Sequence, residues 1–536
     1  METKPQHTDK QTVSLYVKRV FDIMNMTTKI VFPILNDVWM DNGVETLYSI
    51  LQNIVDKSFK IKIEDNSLIV TIEDFNEFKK KVGNAIGYIR SNLIVTVMDK
   101  EHETTKEVMK DYILIQEGKK IDGKVAFKES LYNPKTVMST TSEVFDLMVK
   151  DGKRNCVICG KSFSTPIKKL QQASYPFVTK IKSLSGIRSY KNETDYSLQE
   201  YYDDFCPTCY LRGIIEWSDD AIIYSTTPRE KSTLFLPQTN NIHELIKFKK
   251  HCRRYLNKNG RYQNIKEAKN SDKIENTPGT FSTLLCFYEK FSTDIQEDNP
   301  NKSWTIMDVP CGKVKNIKAY TLNIEESILD IMLQIDQFGI YSSIIKAVSF
   351  FNNKHGGSSV NWKLTSQLQE DLSRSFIEND FCAFANVFLP QKGGKLGFST
   401  ETREYFEIFI YKWRFENMGL DKETFEMLKL AGKTIAAVSK SHQSLLYKLD
   451  KAKDKSALLD TIRQVSRRIV GLKPEEKEKC KSYIYPPSLE ELVILVETHS
   501  DDRKFIEDLR NTLVIFSCVE LSKLNYFEEK RSSERK

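Results

Sequence analysis

Four cysteines stand in two C-x-x-C pairs, Cys156-Val157-Ile158-Cys159 and Cys206-Pro207-Thr208-Cys209, with 46 residues between the pairs. Each turn presents two thiolates to one point in space, so two turns can close a tetrahedron of sulfur around Zn²⁺, with Zn–S near ~2.3 Å. Gly160 and Tyr210, which follow the two turns, are expected to sit where the backbone bends tightly. Four sulfurs leave no position open for water, so the metal implied is structural. The insert is longer than ribbon-type spacing usually allows. Two redox dithiols or four unrelated buried thiols are the alternatives. A redox C-x-x-C belongs at the start of a helix in a small βαβ fold, a context the sequence does not supply.

A second chemistry is cationic. Lys247, Lys249, Lys250, Arg253, Arg254, Lys258 and Arg261 fall within one short stretch, interleaved with Phe248, Tyr255 and Tyr262 and with no acid among them. On a helix, Lys247, Lys250, Arg254, Lys258 and Arg261 share a face that could track several phosphates. A solvated charged face is the plainer alternative. Two polar loops, Asn352-Asn353-Lys354-His355-Gly356-Gly357-Ser358 and Gln391-Lys392-Gly393-Gly394-Lys395, pair glycines with amide and ammonium donors. Glycine lets a backbone approach a ligand closely, and Asn, Gln and Lys can meet groove edges and phosphates; ordinary turns carry the same composition.

Signatures of catalysis are thin. Gly432-Lys433-Thr434 mimics the end of a phosphate-binding loop, but Met427 stands where a glycine is required and the segment reads as helix. There is no H-E-x-x-H and no G-x-S-x-G, and His499-Ser500-Asp501-Asp502 reads as helix termini. Asp219-Asp220 could bind a catalytic metal, although Ile222 and Ile223 beside it suggest the start of a strand. The expectation is a protein without enzymatic activity. A nuclease using Asp219 and Asp220 and a zinc-stabilised interaction scaffold are the rivals.

Around the cysteines lie Tyr175-Pro176-Phe177-Val178, Lys182-Ser183-Leu184-Ser185-Gly186-Ile187-Arg188, Gly213-Ile214-Ile215-Glu216-Trp217 and Ala221-Ile222-Ile223-Tyr224, with Asp41-Asn42-Gly43-Val44-Glu45-Thr46-Leu47 near the start. This pattern resembles the zinc-knuckle large subunit of subtype I-B CRISPR Cascade, an RNA-guided surveillance complex. The specific part runs from Cys156 to Tyr224, and overall length and layout agree with that family. The resemblance implies a cytoplasmic, non-catalytic subunit at the 5′ end of the crRNA, in contact with the Cascade backbone and small subunits. Such a subunit recognises the protospacer-adjacent motif on target double-stranded DNA, assists R-loop formation and receives the helicase–nuclease. It also implies a C-terminal helical bundle that can be made separately as the small subunit, for which Met418 and Met427 are candidate starts.

The elements that must position these groups follow from periodicity. Residues 12–58 read as mostly helical, with Val44, Leu47, Leu51 and Ile54 on one stripe. Phe59, Ile61 and Ile63, then Leu68, Val70 and Ile72, alternate about Asp65-Asn66-Ser67 as a hairpin, followed by a helix over 73–90. The insert between the cysteine pairs carries Lys168, Lys169, Lys180, Lys182 and Arg188 and could touch phosphate or remain a solvated loop. Residues 320–415 read as helix-rich, with stripes at Ile328, Leu329, Met332 and Ile335 and at Leu364, Leu368 and Leu372. Four helical stretches follow in 418–536. There Pro486-Pro487 is expected to stop the chain before a capping box at Ser488-Leu489-Glu490-Glu491, and Asp501 or Asp502 to cap the last helix. The fold class expected is α+β and multi-domain. A mixed α/β part spans 1–150, a four-Cys domain 151–225, a basic helix-rich region 226–415, and a helical bundle 418–536.

At 536 residues, 40% hydrophobic and 29% charged, the chain has ample material for cores. Net charge is +7, which permits a nucleic-acid partner without demanding one. Residues Met1 to Gln11 carry no apolar signal core, and no run of about 18 apolar residues suggests a membrane span. Ten cysteines with only four at short spacing suit a reducing compartment. Cys252, Cys286, Cys311, Cys382, Cys480 and Cys518 read as core fillers.

Overall fold

A computed structural model of the chain describes residues 27–88, 94–98, 105–109, 120–121, 124–125, 134–170, 174–178, 203–227, 231–256, 263–264, 279–296, 303–310, 317–334, 343–344, 347–354, 357–391, 394–399, 403–416 and 420–534. The chain divides into two compact units, Met1–Ala268 with Ser303–Leu322, and Lys269–Lys302 with Asn323–Lys536. The first is mixed α/β and the second is mainly helical, with a helical C-terminal region.

The first unit opens with β1 (Thr28–Pro33), α1 (Val38–Gln52), β2 (Phe59–Glu64), β3 (Ser67–Ile72) and α2 (Phe75–Tyr88). β2 and β3 form the expected hairpin, paired from Phe59↔Ile72 to Glu64↔Ser67. Its turn residues Asp65 and Asn66 take φ of 48° and 54°. That left-handed pair matches the twist of the strands it joins. The expectation of helix before this hairpin fails over Thr28–Pro33. That segment is β1, antiparallel to β3, and its apolar run fills an edge of the three-stranded sheet β1-β3-β2. α1 presents Val44, Leu47 and Leu51 to the core as expected, and α2 presents Phe78, Val82 and Ile86.

Short hairpins β4 (Ile94–Met98)–β5 (Thr105–Met109) and β6 (Lys120–Ile121)–β7 (Lys124–Val125) precede α3 (Pro134–Met148). Phe59, Phe78 and Phe145 of β2, α2 and α3 meet edge to face, each successive pair at 5.0 Å. Then come β8 (Arg154–Asn155), β9 (Ser162–Phe163), α4 (Pro207–Ile215) with its 3₁₀ extension Glu216–Ser218, β10 (Ile223–Thr227), β11 (Lys231–Pro237), α5 (Ile242–Leu256), β12 (Gln263–Asn264), β13 (Ser303–Pro310) and β14 (Lys318–Asn323). A five-stranded sheet runs β12-β10-β11-β13-β14, with β10 and β12 parallel and β11 antiparallel to both its neighbours. The region expected as basic and helix-rich from residue 226 onward also carries strands, with β11 and β13 in the middle of this sheet. β11 places Leu234, Phe235 and Leu236 inside in succession, so no alternation marks it as a strand.

The second unit holds α6 (Thr280–Gln296), α7 (Glu326–Gln334), β15 (Val348–Lys354), β16 (Gly357–Val360), α8 (Trp362–Ile377), α9 (Phe381–Asn386), β17 (Gly394–Phe398) and α10 (Arg403–Ile410), which a π-turn extends over Tyr411–Phe415. The expected apolar stripes of α7 and α8 are buried at Ile328, Leu329, Met332, Leu368 and Leu372. Phe376, Phe381, Phe384, Phe409 and Trp413 form one aromatic cluster between α8, α9 and α10. Glu370 of α8 caps α6, accepting from Phe281 N at 2.8 Å and Ser282 N at 3.0 Å.

α11 (Lys422–Ser439), α12 (Ser444–Asp450), α13 (Lys455–Val470), α14 (Pro474–Lys479), α15 (Pro486–Thr498) and α16 (Arg503–Glu534) complete the chain. The helices of this region bury apolar stripes: Phe425, Leu428, Ile435 and Val438; Leu459, Ile462 and Val465; Leu489 and Leu492; Phe505, Leu509, Leu513 and Phe516. Asp502 caps α16 through Phe505 N at 2.9 Å. Pro486 and Pro487 do not stop the chain. They begin α15, whose first turn needs no donors from them, and Ser488 lies inside the helix, its Oγ donating to the Tyr485 carbonyl. Gly432-Lys433-Thr434 lies within α11, as expected, and Met427 is buried there; Met418 lies outside the described residues. α16 also packs on β17, where Ser522 Oγ donates to the Leu396 carbonyl, so these helices share one unit with residues 323–415. Cys252, Cys286, Cys480 and Cys518 are buried as expected; Cys382 is exposed beside Arg510, and Cys311 lies outside the described residues. No helix among the described residues is long and apolar enough to cross a membrane.

Candidate metal centre and the charge network behind it

The first cysteine pair sits on the tip of the β8–β9 hairpin, paired Arg154↔Phe163 and Asn155↔Ser162. Cys156 N donates to the Lys161 carbonyl at 3.0 Å, and Gly160 N to the Cys156 carbonyl at 2.8 Å. Gly160 has φ of 70°, so the bend needs glycine, as its position suggests. The second pair opens α4. Cys206 is the N-cap, its sulfur accepts from Cys209 N at 3.4 Å, and Pro207 occupies the first turn. Tyr210 therefore lies inside a helix and not at a bend, a correction to the sequence expectation. The helix start that a redox dithiol requires is present here too, but both pairs converge. Val157 N donates to the Asp204 carbonyl at 2.9 Å, and Cys206 N to Cys156 Sγ at 3.4 Å.

The four Sγ atoms lie within 4.8 Å of one another, and Cys159 Sγ is 3.7 Å from Cys206 Sγ. A tetrahedral thiolate site with metal–sulfur bonds of ~2.3 Å has edges of ~3.8 Å, so the spacing fits a bound ion. Three of the cysteines are buried and Cys159 is half-buried. The hydrogen bond with Cys159, then those with Cys206 and Cys209, holds the Cys156 thiol far below its usual range. Cys206 and Cys209 are pushed up, first by Cys156. One thiolate thus opposes the next, and ionising all four requires a cation among them. The four cysteines can hold a metal ion in a closed site.

Arg212, one turn beyond Cys209, is fully buried and donates to the Pro33 carbonyl, with its guanidinium 5.9 Å from the Phe32 ring. Burial pushes its pKa down, while Cys209 and then Asp41 oppose the shift, so a positive charge stands behind the sulfurs. α4 is held against α1 at this point. Trp39 Nε1 donates to the Gly213 carbonyl at 2.9 Å, Trp39 and Trp217 meet at 4.7 Å, and a Cβ on Gly43 would overlap the Arg212 carbonyl oxygen.

Residues of α1, of the end of α4 and of α5 form a buried charge network. Lys249 of α5 is 1% exposed, with Nζ 2.6 Å from Asp219, 3.5 Å from Glu216 and 3.6 Å from Glu45. Arg253, one turn on, forms a two-pronged pair with Glu45 at 2.6 Å and 2.8 Å, and meets Asp219 at 2.9 Å and Asp220 at 2.6 Å. Thr46 Oγ1 donates to Glu216 Oε2 at 2.8 Å. Three buried acids thus face Lys249, with Arg253 and the more exposed Asp220 closing the network. Burial pushes Glu216 up to about 8, against the pull of Lys249.

The sign of the pH effect follows. The ordinary value for Glu216 is 4.5, so its contribution to stability is complete below that and is lost as pH rises through about 8. Asp219 is shifted the other way; its contribution is present above the ordinary 3.8 and is lost as pH falls below it. Glu216→Gln is expected to flatten the fall in urea midpoint between pH 5 and 8.5 relative to the unsubstituted protein. Parallel curves would show that Glu216 does not titrate in that window.

These contacts revise two expectations. Arg253 is not the phosphate ligand its sequence neighbourhood suggests, because its guanidinium is committed to Glu45, Asp219 and Asp220. Asp219 and Asp220 are the pair on which a nuclease would depend. Asp219 is buried against Lys249 and Arg253 and its Oδ1 accepts from Ala221 N at 2.9 Å, leading into β10, the strand start its neighbours suggest. Glu45, Glu216 and Asp219 escape a sequence reading as partners because they lie far from these cations along the chain.

The remaining candidate contacts divide by region. Lys247 and Lys250 are exposed on α5; Arg254 belongs to α5 but its side chain, and all of Lys258 and Arg261, lie outside the described residues. So do Lys180, Lys182 and Arg188 of the insert, while Lys169 meets Asp203 at 3.1 Å. The described parts of the two glycine loops lie in one sheet, while His355, Gly356 and Gly393 lie outside the described residues. In the first, Asn352 and Asn353 of β15 face Ser359 and Ser358 of β16; in the second, β17 pairs Asn352↔Gly394 and Phe351↔Lys395. Asn352 Oδ1 accepts from Asn361 Nδ2 at 3.0 Å. Gln391 and Lys395 are exposed; Lys392 and the side chains of Asn353 and Lys354 lie outside the described residues.

Comparison with protein-family models and with curated proteins finds no match for this chain.

Proposed function

We propose that the protein is a zinc-stiffened, non-catalytic nucleic-acid-binding subunit, of the kind its resemblance to the large subunit of an I-B Cascade implies. The observation that carries the reading is the register Asn352↔Gly394, which sets two glycine-rich, amide-bearing segments at one end of a single sheet. Backbone that can approach closely, flanked by amides and lysines, suits a short duplex motif. Base pairing with a guide RNA would read the long sequence, leaving motif and duplex shape to the protein. In this reading the protein is cytoplasmic, meets crRNA at its 5′ end together with the backbone and small subunits, and receives the helicase–nuclease once DNA is opened. Zinc is the metal proposed for the four cysteines, because four thiolates in a closed tetrahedron suit it.

The test uses Lys247 and Lys250, which are exposed, and avoids Arg253, whose reversal would break the buried network. Lys247→Glu with Lys250→Glu is expected to weaken binding of guide RNA and duplex DNA. The slope of log K against log salt should fall by about 1 for each phosphate the protein no longer reaches. Equal affinity and equal slope would assign that face to solvent. The commitment of Lys249 and Arg253 to carboxylates favours a second reading, a metal-stabilised interaction scaffold in which α5 is structural. Failure of the unsubstituted protein to bind either nucleic acid at low salt would select it.

A further inference from the structure

Between β15 and β17 on one side and α16 on the other lies a cavity of about 320 Å³. Its walls are contributed by segments far apart in sequence: Phe351 on β15, Phe388 after α9, Gln391 and Lys395 around the start of β17, Gln443 before α12, and Asn525 on α16. All belong to the second unit.

Three features limit what could occupy it. Lys395 is the only charged residue among the described residues of its walls, and no carboxylate is among them, so a cation is not the expected guest. The side-chain amides of Gln391, Gln443 and Asn525 make no hydrogen bond among the described residues. Each offers a donor and an acceptor at the wall, which suits a planar ligand whose edge presents both. Phe351, half-buried, supplies aromatic surface for the face of such a ligand, with Phe388 buried behind the wall. The volume is at the small end for ligand pockets, enough for one mononucleotide and too little for a stretch of chain.

The geometry points to this cavity as a receptor for one unpaired nucleobase turned out of a strand, its edge read by the three amides. A base in a duplex cannot present its pairing edge this way, so the occupant is single-stranded or flipped. This inference rests on the nucleic-acid reading above and adds where a single base would be held.

The probe is the set of 5′-mononucleotides, titrated into the full chain by saturation-transfer NMR and calorimetry. At least one is expected to bind. Asn525→Trp, which fills the cavity, and the double variant Gln391→Ala with Gln443→Ala, which alters only exposed side chains and guards against misfolding, are each expected to weaken binding tenfold or more. Lys247→Glu with Lys250→Glu is expected to leave mononucleotide binding unchanged. No mononucleotide binding, or binding unmoved by both cavity variants, overturns the inference even if duplex binding depends on Lys247 and Lys250. Preference of the cavity for a short uncharged peptide overturns it as well. Mononucleotide binding by a protein that binds neither guide RNA nor duplex supports the cavity and removes the wider reading.

Discussion

Cys209→Ser is expected to release the metal and to lower the melting temperature of the protein by about 10 °C or more. Structural zinc supplies folding free energy directly, ~10 kcal/mol in isolated zinc-binding peptides. Losing one of four ligands removes a large share of that. In a unit of this size each ~1 kcal/mol shifts melting by roughly 2–4 °C. The damage should also spread beyond the cysteines. Cys206 and Cys209 begin α4, and the same helix carries Arg212 and Gly213, which fix it to β1 and α1. Metal content by mass spectrometry and a thermal melt check the expectation, and the first measurement also identifies the ion. A full complement of metal with an unchanged melt would mean that the four sulfurs do not form a structural site. Treatment of the unsubstituted protein with a strong chelator should reproduce the loss.

Lys249→Met is expected to destabilise the protein by about 3–5 kcal/mol, because it removes the ammonium nearest the buried Asp219 and leaves Asp219 and Glu45 with Arg253 as their remaining buried cation. Methionine keeps the length of the side chain, so the effect isolates charge from volume. The control is the neighbouring residue. Lys250 is exposed on the same helix. Lys250→Met should change stability by no more than about 0.5 kcal/mol. Urea unfolding of both variants decides the matter, and similar midpoints would show that the ammonium of Lys249 is not what balances the network.

Local signals are legible where the cause is local. The β2–β3 hairpin, α2 and the helices of the C-terminal region follow from periodicity, since the apolar stripe that forms each element also buries it. The cysteine pairs are legible because ligand type and spacing carry their own chemistry. Partnership at a distance is not. Lys249 and Arg253 look like part of a solvated or phosphate-tracking face because no acid stands among the cations from Lys247 to Arg261; the acids they pair with arrive on α1 and at the end of α4. β1 escapes detection because it lies within a stretch dominated by the signal of α1, and β11 because a strand with consecutive buried residues shows no alternation. The glycine loops are each ambiguous alone, and only the register of β15 and β17 sets them side by side.

The division of the chain has a consequence for its synthesis. Residues Ser303–Leu322 belong to the first unit, while Lys269–Lys302 and Asn323–Lys536 on either side of them belong to the second. During translation β11 therefore emerges with one edge bare, and its partner β13 follows only after α6, a helix of the other unit, has left the ribosome. No single cut can release either half as one continuous piece. A nascent chain stopped short of β13 would display an open strand edge of the kind that recruits chaperones or aggregates.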